Sequence, residues 1–360
     1  MEWVVIQSGY GTPFDLAGMG NEIVEKYFKH ANFADEEKRA LAEIIAKTDF
    51  RPEKEIFRGR IYDDDKVASL VYKGVWRDRP AVLKIQGLQP EIDEIEMIGA
   101  FNGQNGSAVI RLPEFYGGSK WDGRSGYGYL LLGYIDASRI YQPPLADRER
   151  MDDFCSFYQE YKTGCLRKPF FPKEPNEQSS LVFTAQRVAH WARIAQSKGH
   201  LTGAGVKNVE RFLSLAGRHL PSIGMEFMHG HLTSEDIFKL PDNGYVLMSN
   251  LFWSYRPEYY DTTFHLWYGL KSLRDQKMTV VRIKRYLQDW LEAYKKIPVI
   301  MQDADFERKF DMAMAERCLG ALLVDIRNQH YAEGRERYIG HLTGIFQELF
   351  GYFADKLEKM

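Results

Sequence analysis

Two unlike stretches constrain how this chain can fold. Between Lys54 and Gln86, short β-branched and aromatic runs (Glu55-Ile56-Phe57, Val67 to Trp76, Ala81 to Ile85) are separated by Asp63-Asp64-Asp65 and Arg77-Asp78-Arg79-Pro80. Runs of that kind read as strands and the polar separators as turns, so the spacing predicts three antiparallel strands. Beyond Pro144 the apolar residues fall at helical spacing, as in Ala315, Leu319, Leu322 and Leu323, and again in Leu342, Ile345, Leu349 and Phe353. Only a loop from Lys168 to Ser179 and a strand-rich region from 227 to 254 interrupt that helical part. Strands gathered in one region and helices in another make the chain α+β.

Smaller elements fill in the order. Leu41, Ile44 and Ile45 follow the charged run Asp35-Glu36-Glu37-Lys38-Arg39 at helical spacing, which predicts a helical N-terminal extension over 1–53. Pro90 opens a helix over Glu91 to Phe101, with acids in its first turn, and Asn102 to Ser107 ends it. Further strands are expected at Ile110 to Tyr116 and Gly128 to Tyr134, while Gly117-Gly118 and the glycines from Gly123 to Gly128 read as turn punctuation.

Composition narrows the functional classes. With 360 residues, 44% hydrophobic and 14% aromatic, the chain can build two lobes with buried cores. Lys plus Arg total 48 against 50 Asp plus Glu, so no global field points to nucleic acid or to an anionic membrane. Cys155, Cys165 and Cys318 are odd in number and lack metal-type spacing, which suits structural thiols in a reducing compartment. The opening Met1-Glu2-Trp3-Val4-Val5-Ile6-Gln7 has an acidic second residue and too short an apolar run for a signal core. No stretch approaches the ~20 apolar residues that cross a bilayer. The expected location is cytoplasmic.

The most informative motif is His229-Gly230-His231-Leu232-Thr233-Ser234-Glu235-Asp236-Ile237. It resembles the catalytic loop of the aminoglycoside phosphotransferase branch of the protein-kinase-like superfamily, which reads His-Gly-Asp-Leu, three variable residues, then Asn-Ile. Other parts follow in the expected order over about residues 54 to 265. Val71-Tyr72-Lys73-Gly74-Val75-Trp76 and Ala81-Val82-Leu83-Lys84-Ile85 resemble the second and third strands of a kinase small lobe. Arg256-Pro257-Glu258-Tyr259-Tyr260-Asp261 is similar to the segment that follows the metal site in these enzymes. The resemblance implies a two-lobed protein-kinase-like fold. Its small antiparallel β lobe with one key helix spans 54–135, and its mainly helical large lobe, carrying the loop remnant 229–237, spans 136–360.

The same resemblance assigns roles. Lys84 falls where a kinase lysine holds nucleotide phosphates and pairs with a helical glutamate, and its partner is Glu94, with Glu91 as the alternative. The phosphate-cradling glycine positions fall on Asp64, Lys66 and Ser69, so the acidic tip Asp63-Asp64-Asp65 reads as a solvated hairpin end. His231 stands in place of the catalytic Asp and Asp236 in place of the metal-binding Asn. The strand-end Asp that would supply the second metal ligand is replaced by Ser249, with Asn250 next to it, and both are neutral. Asp236 can offer magnesium an anionic oxygen, yet one ligand is not a site, which argues against magnesium. His229 reads as a structural contact and Asp261 as a structural carboxylate. His190, His200 and His219 lack metal-ligand spacing.

These readings predict a pseudokinase that senses ATP or another nucleotide, or binds a protein partner. An active ATP-dependent small-molecule phosphotransferase, with His231 as base and Asp236 as metal ligand, is the alternative. A scaffold without nucleotide binding is the second. A small-molecule ligand in the large lobe is also open, with aromatic and acidic residues at 147 to 162 and 258 to 268 available to line its pocket.

Overall fold

The structure, a computed structural model, describes residues 28–29, 37–60, 67–90, 92–136, 148–166, 168–173, 178–271, 279–327 and 336–360. The acidic tip at Asp63-Asp64-Asp65, Lys66 and Glu91 lie outside these residues. Apart from a two-residue strand pair, Phe28–Lys29 with Gln89–Pro90, the elements in chain order begin with helix α1 (Glu37–Thr48), strands β1 (Phe50–Arg60), β2 (Val67–Trp76) and β3 (Arg79–Gln86), and helix α2 (Glu94–Gln104). Strands β4 (Ile110–Arg111), β5 (Phe115–Asp122) and β6 (Tyr127–Gly133) follow, then helices α3 (Arg148–Glu160), α4 (Ser180–Ser197) and α5 (Gly203–His219). Next come strands β7 (Met225–Met228), β8 (Ile237–Lys239), β9 (Tyr245–Leu247) and β10 (Ser254–Pro257). Helices α6 (Tyr260–Lys271), α7 (Val280–Tyr294), α8 (Phe306–Gly320) and α9 (Glu336–Glu358) complete the chain. No helix among the described residues is long and apolar enough to cross a membrane.

Two compact units result. The smaller holds Glu22–Tyr141 and Asp236–Phe252, and the larger holds Gln142–Glu235 and Trp253–Met360. The unit boundary therefore falls inside the 229–237 loop, and α1 belongs to the same unit as the sheet.

The smaller unit is built on an antiparallel five-stranded sheet in the order β1-β2-β3-β6-β5. Alternation along the strands sends Leu70 and Tyr72 of β2, Ala81, Leu83 and Ile85 of β3, and Leu131 of β6 to one face, where they close a core with Ala40 and Ile44 of α1. An ion pair and a hydrogen bond hold α1 down at its edges. Arg58 of β1 grips both carboxylate oxygens of Glu37 at 2.7 Å, and Tyr127 donates to Glu43 at 2.7 Å. Gly74 is forced by close approach, since a Cβ there would lie 2.6 Å from Phe50 Cζ and against the Arg51 carbonyl of the paired strand. Gly74→Ala should therefore destabilise the protein by about 3 kcal/mol, at the upper end of overpacking costs. A denaturation midpoint equal to that of wild type would contradict this packing.

Three local expectations differ from the structure. Helix α2 starts at Glu94 rather than Glu91, because Asp93 is its cap and accepts from the Ile95 amide at 2.9 Å. The segment from Ile110 to Tyr116 is not one strand: Ile110 and Arg111 pair in parallel with Tyr245 and Val246, and β5 begins afresh at Phe115. Gly117 and Gly118 lie within that strand instead of marking a turn.

The larger unit is mainly helical, and its core is dense in aromatic residues. Phe154, Tyr158, His265, Trp290 and Tyr294 stack or meet edge to face with centroids 4.1–6.4 Å apart. Burial pushes the pKa of His265 down to about 3, so this imidazole is a neutral packing element.

Candidate functional site

In the smaller unit the site is written by strand register. Lys84 of β3 stands directly across from Val71 of β2 and Leu130 of β6, and two pairs along, Val82 faces Lys73 and Leu132. Opposed residues share a face. One sheet surface thus carries an apolar strip, with Val82 and Leu132 buried, next to the Lys84 ammonium. The Lys84 Nζ forms an ion pair with Glu94 Oε2, the lysine side chain being 18% exposed and the glutamate 3%. Gln86, two residues farther along the same face, donates from Nε2 to that oxygen at 3.1 Å. Its own Oε1 is enclosed without a partner among the described residues.

The orientation of Glu94 is fixed by what holds α2. The Asp93 carboxylate caps the helix with one oxygen and accepts from the Trp121 amide of β5 with the other, at 3.0 Å. One turn on, Glu96 pairs with Lys120 of β5. Sequence reasoning found the lysine and its glutamate. It missed Gln86 and Asp93, whose signals were a buried-strand glutamine and an acid in front of a helix.

The expected metal positions flank the β8–β9 hairpin of this unit, Asp236 before it and Ser249 and Asn250 after it. Asp236 is buried, and its main-chain carbonyl accepts from the Met248 amide at 2.8 Å. Ser249 has φ 56°, in the left-handed region, and leads into a short 3-10 turn, Asn250–Phe252. The buried Asn250 donates from Nδ2 to the Leu247 carbonyl at 3.0 Å, which ties its amide to the end of β9. A nucleotide-bound magnesium ion calls for hard anionic oxygens in near-octahedral array. Of Asp236, Ser249 and Asn250 only the first brings charge. This donor set does not fit the group.

In the larger unit, β7 delivers the chain into His229. That residue is fully enclosed, donates from its amide to the Tyr161 hydroxyl at 2.7 Å, and meets Trp253 edge-on at 5.1 Å. Gly230 follows at φ 69°, a conformation glycine adopts without steric cost. His231 is half-buried and lies 4.9 Å from Phe264 of α6, and its carbonyl accepts from the Thr233 amide at 2.8 Å. Asp261, in the first turn of α6, is fully buried and accepts from the Tyr158 hydroxyl at 2.9 Å. Tyr161 therefore secures the loop backbone, and Asp261 acts through a neighbouring tyrosine. Both hydroxyls are pushed well above the usual tyrosine range, by burial first and then by the nearby Asp261 carboxylate. The recurrence of Phe154, Phe157, Tyr158 and Tyr161 at helical spacing was the available signal for this wall. His219 is also structural, its Nε2 lying 3.0 Å from the Leu357 carbonyl.

No protein-family model matches the sequence, and no curated protein is similar to it. Solved structures are similar. Aminoglycoside phosphotransferase APH(4)-Ia superposes with a TM-score of 0.58 at 10% identity, over 89% of this chain and 98% of that one. A putative aminoglycoside phosphotransferase from Ralstonia eutropha gives 0.55 at 12% identity, again over 89% and 98%. Spectinomycin phosphotransferase APH(9)-Ia gives 0.50 at 12%, over 89% and 98%. Taken with the antiparallel sheet, its Lys84–Glu94 pair and the helical larger unit, these likenesses show that the chain has the two-lobed, protein-kinase-like fold of the aminoglycoside phosphotransferases.

Proposed function

We propose that this protein is a nucleotide-sensing pseudokinase of aminoglycoside-phosphotransferase-like fold. One observation carries the reading: the Lys84–Glu94 pair is built and held from two sides, while the positions for the base and the second metal ligand are His231 and Ser249. A structure it resembles holds ADP and hygromycin B, and another holds ADP and spectinomycin. A nucleotide is accordingly the first ligand to test. Lys84 supplies a phosphate-facing cation, and the apolar strip at Val82 and Leu132 suits a base.

Chemistry supports the loss of transfer. General-base catalysis is worth roughly 10²–10⁴ in rate, and a half-buried imidazole lacks the charge that orients a hydroxyl beside a metal. A neutral Ser249 cannot offset the charge of a nucleotide-bound ion. Nucleotide occupancy then serves as a signal read by a protein partner, and a cytoplasmic setting accords with the free thiols of Cys155, Cys165 and Cys318. The expected result is negligible phosphoryl transfer and nucleotide hydrolysis by wild-type protein. Robust transfer that disappears in both His231→Ala and Asp236→Ala would establish the rearranged-site enzyme instead.

A further inference from the structure

Arg317 of α8 is buried, with 5% of its surface exposed, and a guanidinium does not shed its proton in a protein. Four rings enclose it: Trp191 of α4 at 4.8 Å, and Tyr260, Trp267 and Phe264 of α6 at 5.0, 5.4 and 5.6 Å from their centroids. Ring faces favour a cation but cannot replace hydrogen-bond acceptors in the guanidinium plane. Its Nε and Nη2 atoms are sealed and have no acceptor among the described residues. These two donors form one edge of the fork, the edge that grips two oxygens of a carboxylate or phosphate side by side.

Nearby charge points the same way. Glu316 lies 3.9 Å from Arg317 Nη2, too far for a hydrogen bond, and the same Glu316 oxygen receives Arg187 Nε at 2.6 Å. Glu316 is thus engaged by Arg187 and only distantly by Arg317, and a further cation, Arg256, approaches the Tyr260 ring at 5.8 Å. A buried charge of this kind calls for an anionic counterpart. Of the four rings, Tyr260, Phe264 and Trp267 are buried and only Trp191 is half-exposed, so the solvent side of the cage is the Trp191 side. Gly320 lets that indole lie against α8, since a Cβ there would fall 3.0 Å from it. Phe264 is also the ring that His231 packs against, so the cage shares a wall with the altered catalytic loop.

We propose that Arg317 is the recognition point for the oxyanion of a small-molecule ligand, a carboxylate or a phosphate monoester, that enters past Trp191. The proposal does not depend on nucleotide binding in the smaller unit. Wild-type protein carrying 15N-labelled arginine is titrated with inorganic phosphate and, separately, with acetate at constant ionic strength, with chloride as control. A saturable shift of the Arg317 Nε–H resonance is expected, and the stronger of the two anions identifies the ligand class. Calorimetry should show the affinity of that anion falling by at least about tenfold in Arg317→Gln, the scale for removing one partner of a buried charge pair. It should rise in Glu316→Gln, where the competing carboxylate is gone. No shift of the resonance with either anion, a shift equal to that in chloride, or unchanged affinity in folded Arg317→Gln would overturn the proposal. The wild-type resonance decides the matter should Arg317→Gln fail to fold.

Discussion

Replacing Lys84 by Met should destabilise the protein by about 3 kcal/mol, and adding Glu94→Gln should recover most of that loss. The reason is the burial of the pair. Glu94 is 3% exposed in its side chain, so removing the lysine strands a carboxylate whose remaining partner is Gln86. Lys84→Met alone therefore mixes a folding defect with a binding defect. In the double variant the two separate: Glu94→Gln leaves an amide that needs no counter-charge, while the phosphate-facing cation is still missing. Denaturation midpoints measure the first effect and nucleotide titration the second. A single variant as stable as the double would contradict the buried pair, and a double variant that binds nucleotide like wild type would remove Lys84 from the site.

Restoring acids at the two altered positions should have the opposite sign. His231→Asp with Ser249→Asp gives back the carboxylates whose absence defines the pseudokinase reading, and should create magnesium-dependent nucleotide binding at least about tenfold tighter than without the metal. The backbone favours the test. Ser249 sits at φ 56°, and Asp is among the residues that tolerate the left-handed region best. Binding is the better readout than turnover, because an absent acceptor leaves a repaired site silent. Magnesium-independent affinity in the folded double variant would mean that position 249 does not face the nucleotide.

What the sequence made legible was local or periodic. The strands at 67–76 and 79–86 announce themselves through β-branched runs and polar turns, and the helix that carries Glu94 through the acids that follow Pro90. The altered loop was legible because its frame survives at His229, Gly230, Leu232 and Ile237 around the changed positions. Strand β5 was not, since Gly117-Gly118 reads as a turn until the pairing with Leu131 and Leu130 is known. Nor was the parallel contact of Ile110 and Arg111 with Tyr245 and Val246, because pairing between distant short strands leaves no periodic trace. The Arg317 cage was hidden for the same reason: its rings come from α4 and α6, and burial of a guanidinium is a tertiary fact.

The most direct measurement is a calorimetric titration of wild-type protein with a non-hydrolysable ATP analogue, once with magnesium and once with the metal replaced by a chelator. Saturable binding is expected, with an affinity that does not change between the two conditions. Binding that appears only with magnesium, or no binding at millimolar nucleotide, would contradict it, the first result pointing to an active metal-dependent enzyme and the second to a scaffold that has given up its nucleotide.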